Sequence, residues 1–357
     1  MTKKQGAIIG FGNIAEKGHF PSYLKSAECE IVAVMDPSEK RRAAAQALHP
    51  TLRTYASAEN LFSTEKVDFV DICTPPASHV DLAIQALQHG AHVLCEKPLV
   101  LSDQDYVRLA KEMAQRHRTV FAVHNWKYAP IIQQALKWIR EGRIGRVWHV
   151  ELFVLRNNVC QGTAQGATGA AMPTENWRQD PAVSGGGILV DHGWHAFYLL
   201  TNLIGADPQS ILANLHFGAE ATGFDEVAQT LVQFPEADGY IHLSWRSPIR
   251  RNTIHIQALE GSILIDDGRL LLNTRDGAHE EQHFTPLSEG SHHADWFQAL
   301  LPDFIEELKN PAKRGANFRE AGWCVALTRA AYASRLQHSK SMDVLFPGQP
   351  EKQAALV

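Results

Sequence analysis

The 357-residue sequence has little of what staples or anchors a chain. Its five cysteines, Cys29, Cys73, Cys95, Cys160 and Cys324, are scattered, and no two form a CxxC pair. That argues against a disulfide framework and against a zinc knuckle. No stretch approaches the roughly 18 uninterrupted apolar residues of a membrane-spanning helix. The start, Met1 to Gly10, offers two lysines and a short apolar run ended by glycine, too little for a signal-peptide core. Charge of one sign is also scarce: 34 Lys and Arg against 39 Asp and Glu leave a net charge of −5. No polyanion-seeking surface follows from that balance. The expected location is therefore cytoplasmic, with neither membrane nor nucleic acid as a partner.

What remains is the composition of a soluble globular protein, 45% hydrophobic and 20% charged. The length exceeds the roughly 250–300 residues at which single cores stop growing, so two domains are expected. The texture changes near residue 125. Before it, apolar runs alternate with helical patterns, the signature of βαβ units and a doubly wound parallel sheet. Strands are predicted at Ala7–Ile9, Ile31–Met35, Phe69–Cys73, His92–Cys95 and Val120–Val123. Helices are predicted over Ile14–Lys25, Ser38–Leu48, Ser78–His89 and Ser102–Arg116. After it come a helix (Ile131–Glu141), a strand (Val147–Leu155) and a glycine- and alanine-rich segment, Asn157–Asn176. A structureless segment of that length is usually functional, and it is expected to cover the site. From Ser210 to Phe284 short alternating runs such as Thr230–Phe234, Tyr240–Trp245, Thr253–Ala258 and Ile263–Asp266 predict a mostly antiparallel sheet. Two amphipathic helices close the pattern, Trp296–Leu308 and Phe318–Gln337. The expected fold class is thus α/β: a Rossmann domain over 1–125, an α/β domain with an open antiparallel sheet over 126–340, and a tail over 341–357.

The chemistry begins at Gly10-Phe11-Gly12-Asn13-Ile14-Ala15, which follows a strand and opens a helix. In that context a GxGxxG/A pattern reads as a dinucleotide loop. Gly10 makes the tight turn, Gly12 lets backbone approach a pyrophosphate, and Ala15 permits close helix–sheet packing. Asp36 closes the second strand, where an acidic side chain accepts hydrogen bonds from the adenosine ribose and repels a 2′-phosphate. NAD is favoured, although Lys40, Arg41 and Arg42 just downstream leave NADP open. Thr74, Pro75 and His79 follow the fourth strand at the carboxyl edge, where open α/β sheets bind ligands. Two prolines there also serve simply to end a strand and start a helix.

Cys95-Glu96-Lys97-Pro98 ends the next strand at the same edge. A lone lysine is usually a surface charge. A second cluster changes the odds: Gly185-Gly186-Gly187-Ile188-Leu189-Val190-Asp191-His192-Gly193-Trp194-His195, in which Asp191 and His195 share a helix face. On these motifs, from Gly10-x-Gly12 through Glu96-Lys97-Pro98 and Trp177-Arg178 to Asp191-x-Gly193-x-His195, the chain resembles the Gfo/Idh/MocA oxidoreductases. The resemblance covers nearly all of the sequence. It implies an NAD(P)-dependent enzyme acting on a secondary alcohol of a sugar, cyclitol or related polyol. It implies Lys97, Asp191 and His195 as the catalytic group, with Glu96, Trp177 and Arg178 beside the dinucleotide. Homodimers or homotetramers built through the C-terminal sheet are implied as well.

Alcohol oxidation needs an acceptor for the hydroxyl proton, and either Lys97 or His195 can supply it. His195 starts near neutrality and is the expected terminal acceptor, with Lys97 on the substrate oxygen and Asp191 orienting both. Two places depart from the family pattern. Tyr198 stands where many members carry an acid, and His124-Asn125-Trp126-Lys127-Tyr128 replaces a common arginine-bearing segment. Asn125, Trp126, Lys127, Arg156 and Tyr198 are accordingly the expected substrate contacts. Two other readings stay open: transient oxidation that enables elimination, as in NAD-dependent glycosidases, and a non-catalytic dinucleotide sensor. His292-His293 lacks a third ligand at useful spacing, so no metal is expected.

Overall fold

The computed structural model describes residues 2–157, 181–218, 223–290 and 292–349. Cys160, Trp177, Arg178 and nearly all of the expected cover over 157–176 lie outside the described residues.

Six strands form a parallel sheet: β1 (Lys4–Ile9), β2 (Cys29–Met35), β3 (Arg53–Tyr55), β4 (Phe69–Ile72), β5 (His92–Cys95) and β6 (Val120–Ala122). Their spatial order is β3-β2-β1-β4-β5-β6, the Rossmann order with its switch point between β1 and β4. Every residue of β4 and β5 is buried, as strands covered on both faces must be. Helix starts follow capping chemistry: the Ser102 hydroxyl accepts the Asp105 N–H at 3.1 Å ahead of the helix Asp103–Arg116. The short β3 and the helix Ala58–Thr64 were not predicted, because three residues carry too little period to read.

The second sheet has nine strands: β7 (Val147–Leu155), β8 (Ser210–Phe217), β9 (Asp225–Gln233), β10 (Asp238–Ser244), β11 (Arg251–Ala258), β12 (Gly261–Asp266), β13 (Arg269–Thr274), β14 (His279–His283) and β15 (Met342–Asp343). Their order is β14-β13-β12-β11-β7-β10-β9-β8-β15, antiparallel except where β7 and β10 pair in parallel. In β7 alternate residues Val150, Leu152 and Val154 are buried, and the helix Gly193–Ile204 packs on that face. The other face keeps Leu212, Phe217 and Leu231 more than a third exposed.

The last helices bind the two sheets together. Asn317, in the helix Ala316–Leu336, completes the edge of β6: its Oδ1 accepts the Ala122 N–H (2.6 Å) and its Nδ2 donates to the Ala122 carbonyl (3.0 Å). Phe297, in the helix Ala294–Lys309, stacks on His19 of the Rossmann half with centroids 3.7 Å apart. Among the described residues no helix is long and apolar enough to cross a membrane.

Candidate active site

The glycine loop leaves β1 at Gly10, whose φ of +89° only glycine adopts at no cost. A Cβ there would also meet the Thr74 methyl at 2.8 Å, so the turn is pressed against the end of β4. A Cβ on Gly12 would meet nothing within 4 Å, which leaves open room beside the helix start for a phosphate. Phe11 is buried and Asn13 exposed, so Phe11 offers the site backbone only. Asp36 is almost fully buried and holds the loop: its Oδ2 accepts the Phe11 N–H (2.7 Å) and its Oδ1 the Ser38 N–H (2.8 Å). A carboxylate offers about four acceptor positions, so two are left for ribose hydroxyls. A hollow of about 290 Å³ lies alongside, walled by Met35, Pro37, Ala56, Leu82 and Gln85. These features fit an adenosine dinucleotide. Of the basic trio, Arg42 donates to the carbonyls of Asp36 and Pro37, and Arg41 pairs with Glu16 at 3.4 Å.

His79 is fully buried, with Nδ1 2.8 Å from the Pro98 carbonyl and Nε2 2.8 Å from the Thr74 carbonyl. It is thus a clamp between the β4 loop, with Thr74 and Pro75, and the Lys97-Pro98 turn. It is not an open dinucleotide contact.

Lys97 stands past β5 and reaches the second half of the chain. Its ammonium donates to Asp191 Oδ1 at 2.6 Å and to the Asp191 carbonyl at 2.9 Å. Three donors on the nitrogen leave one for a substrate oxygen. Asp191 ends a short helix, Ile188–Asp191, whose start is held by buried Asp225. Asp225 accepts the N–H groups of Gly187 (3.2 Å) and Leu189 (2.8 Å), and the Tyr332 hydroxyl donates to it at 2.6 Å. The glycine run follows from this packing. A Cβ on Gly187 would lie 2.1 Å from the Asp225 carbonyl, and Gly185 has φ +82°. Sequence reading missed Asp225 and Tyr332, which carry no local signal.

The expected face shared by Asp191 and His195 is corrected by the structure. The helix breaks at His192, and His195 belongs to the next one, Gly193–Ile204. The Asp191 carboxylate meets Lys97 and, at 3.3 Å, His192 Nδ1. His192 therefore adjoins the site, and burial drives its pKa down to about 3.

His195 is buried, its ring stacked on Trp126 with centroids 4.6 Å apart. Its Nδ1 lies 2.7 Å from the Tyr198 hydroxyl, which also accepts the Trp126 N–H at 3.0 Å. Tyr198 is fully buried, so it acts beneath His195 and not as a substrate contact. With one lone pair given to Trp126, the phenol hydrogen finds its acceptor in Nδ1, which leaves the imidazole hydrogen on Nε2. Burial, then the charge of Lys97, holds the His195 pKa well below the ordinary histidine value.

The other expected substrate residues divide. Asn125 is half-buried. Lys127 turns away: its ammonium pairs with Glu320 at 2.9 Å, and Glu320 also accepts from His124 Nδ1 at 2.5 Å. Burial opposes that carboxylate, but the Lys127 and His124 partners prevail and hold its pKa down at about 2. Arg156 is buried, with its guanidinium over the Trp126 ring at 5.7 Å.

Beneath the Lys97 turn lies a buried network that sequence reading did not find. His19 Nδ1 is 2.9 Å from Asp71 and its Nε2 is 3.0 Å from Glu96. Glu96 in turn accepts the Lys97 N–H at 3.0 Å, and the Tyr23 hydroxyl donates to Asp71 at 2.9 Å. Burial pulls the His19 pKa down, but Asp71 outweighs it and the net shift is well upward, so this imidazole is cationic. Glu96 thus supports the Lys97 backbone from below.

Two family models match. The description "Oxidoreductase family, NAD-binding Rossmann fold" covers residues 4–124, and the GFO/IDH/MocA C-terminal domain covers 132–264. The chain belongs to the GFO/IDH/MocA oxidoreductase family, and its residues 4–124 are an NAD-binding Rossmann fold. It is 30% identical over 290 residues to the 2,7-anhydro-N-acetylneuraminate hydratase of Mediterraneibacter gnavus, covering 78% of this chain and 71% of that protein. It is 27% identical over 365 residues to the D-apiose dehydrogenase of Paraburkholderia graminis, covering 97% and 92%. Among solved structures, levoglucosan dehydrogenase in complex with NADH superposes with a TM-score of 0.81 at 19% identity, over 97% of this chain and all of that one. The protein is an NAD-dependent oxidoreductase of this family.

Proposed function

We propose that the chain transfers hydride between nicotinamide and a secondary alcohol of a sugar, cyclitol or related polyol. The observation that carries this is the Lys97–Asp191 pair, 2.6 Å across, standing where the carboxyl edge of the parallel sheet faces the second half of the chain. Nicotinamide, when bound, supplies the hydride acceptor or donor at C4. The chain's own part is to hold the reacting oxygen and move its proton. The third Lys97 N–H binds that oxygen, and His195 Nε2–H binds it from the other side. In oxidation Lys97 yields a proton to the Asp191 carboxylate and, as the free amine, takes the hydroxyl proton, since burial makes the His195 imidazole a poor base. That reverses the order expected from sequence, which gave the proton to His195.

Asp36 selects NAD, because its buried carboxylate next to the ribose position opposes a 2′-phosphate. The chain is divided near residue 125, and the exposed Leu212, Phe217 and Leu231 on the open sheet face are where copies associate. Light scattering tests that association. A sugar and polyol panel with both dinucleotides, followed by NADH absorbance, tests the reaction. No turnover of any member sinks it.

The similarity to a hydratase favours one second reading, in which oxidation is transient and the net reaction is elimination or addition of water. Product formation without net NADH separates the two.

A further inference from the structure

Arg156 is the least accounted-for charge in the molecule. It follows β7 and is fixed by its backbone, whose N–H donates to the Ser244 carbonyl at 2.8 Å. Its side chain is 5% exposed, yet no ion pair holds it among the described residues. Nη1 is spent on the Leu155 carbonyl (2.8 Å) and on Asn252 Oδ1 (3.0 Å). Among the described residues Nε is buried with no partner, and so is Nδ2 of Asn252, a residue 1% exposed. A buried cation without a counter-charge costs several kcal/mol, and buried orphan donors are rare enough to require a reason.

The surroundings deepen the deficit. The acidic groups that act on Arg156 are Asp191 and Asp267. Asp191 is held by Lys97, and Asp267 by the Ser288 N–H, the Ser288 hydroxyl and the Asn252 N–H. Arg250 adds a second positive charge. With burial as the main cause and Arg250 next, the Arg156 pKa falls to about 9. Arg156 is nevertheless at the reaction site, because it lies over Trp126, and Trp126 stacks on His195.

We infer that the uncommitted Nε/Nη2 edge of Arg156, assisted by Asn252 Nδ2, reads a carboxylate, and that the substrate is a sugar acid. This rests on the dehydrogenase reading above and names its substrate class. The planar Nε/Nη2 fork matches the two oxygens of a carboxylate, and such charge-assisted pairs are the strong ones. The anion supplies the missing counter-charge while the neighbouring carbinol meets Lys97.

The test uses the full-length protein with saturating NAD and a panel of uronates and aldonates, each beside its neutral counterpart. Initial rates give kcat/KM, and the change in total tryptophan fluorescence, to which Trp126 is one of eight contributors, gives binding without turnover. The expected result is a preference of about 100-fold for an acid over its neutral partner. Arg156→Met removes that preference, so that the ratio of kcat/KM for the acid to that for its neutral counterpart falls to about one. Asn252→Asp places a carboxylate inside the protein against Arg156 and suppresses acid binding while keeping the arginine. It therefore decides the matter if Arg156→Met fails to fold. Equal handling of acids and neutral sugars, or equal losses for both in the variants, overturns the inference. If no sugar is oxidised, the dehydrogenase reading fails, and acid-selective fluorescence that Arg156→Met abolishes still supports Arg156. A fluorescence response to neither class overturns it.

Discussion

Replacing Tyr198 with Phe removes one oxygen from a fully buried position and leaves the ring. That oxygen accepts the Trp126 N–H at 3.0 Å and holds His195 Nδ1 at 2.7 Å. Each buried group left unpaired costs about 1–3 kcal/mol, so the variant should lose about 2–6 kcal/mol, with the lower end reached if the loop relaxes. The catalytic loss has a separate origin. Without the phenol hydrogen, nothing fixes the His195 hydrogen on Nε2, and the ring no longer presents a donor to the reacting oxygen. Loss of such an orienting partner typically costs 10–100-fold, so kcat should fall by about that factor with KM little changed. Urea titration gives the first number and initial rates the second. The Tyr198→Phe/His195→Asn double variant should then be hardly slower than His195→Asn alone, because both changes remove the same donor. A lowered urea midpoint with kcat within twofold of the parent refutes the argument and leaves Tyr198 as core packing.

Lys97→Ala should abolish most turnover while dinucleotide affinity stays within about tenfold, or about 1.4 kcal/mol; cofactor titration beside rate measurement checks it, and parent-like turnover excludes Lys97. Asp36→Ala should relax discrimination against NADP, read from paired cofactor titrations, and unchanged preference removes Asp36 from the ribose. His195→Asn should keep any rise of the oxidation rate with pH at neutrality, since burial has already moved this histidine's titration to acid; disappearance of that limb returns the proton to His195. The last concerns His19, whose folded pKa is raised, so its stabilisation is complete below about pH 6.5, the unfolded value, and is lost as pH rises through the folded one. His19→Gln should flatten the alkaline fall in urea stability, and parallel profiles for parent and variant would falsify a cationic His19.

Sequence made the backbone legible wherever a period persisted. Val147–Leu155 was bounded to the residue because its buried apolar residues alternate, and His92–Cys95 because a strand buried on both faces is a nearly continuous apolar run. The proposed trio drew attention as a motif, and the structure joins Lys97 to Asp191 and sets His195 nearby. What stayed hidden was pairing across the chain. Lys127 has the look of a free cation until Glu320, 193 residues later, arrives beside it. Tyr198 reads as a substrate residue until the Trp126 N–H, 72 residues earlier, fills one of its lone pairs.

The same cause explains the error over Asp191 and His195. A spacing of four is a shared face only while one helix continues, and here the helix breaks at His192. The break hands Asp191 to Lys97 and turns His195 onto Trp126, which separates two tasks that a single helix face would have merged. One group holds a charge pair that can take a proton. The other is kept neutral by burial, with its hydrogen aimed by a phenol. An acid at position 198 would raise the His195 pKa and make it a competing base. In the mechanism proposed above, tyrosine there leaves the proton to Lys97 and Asp191.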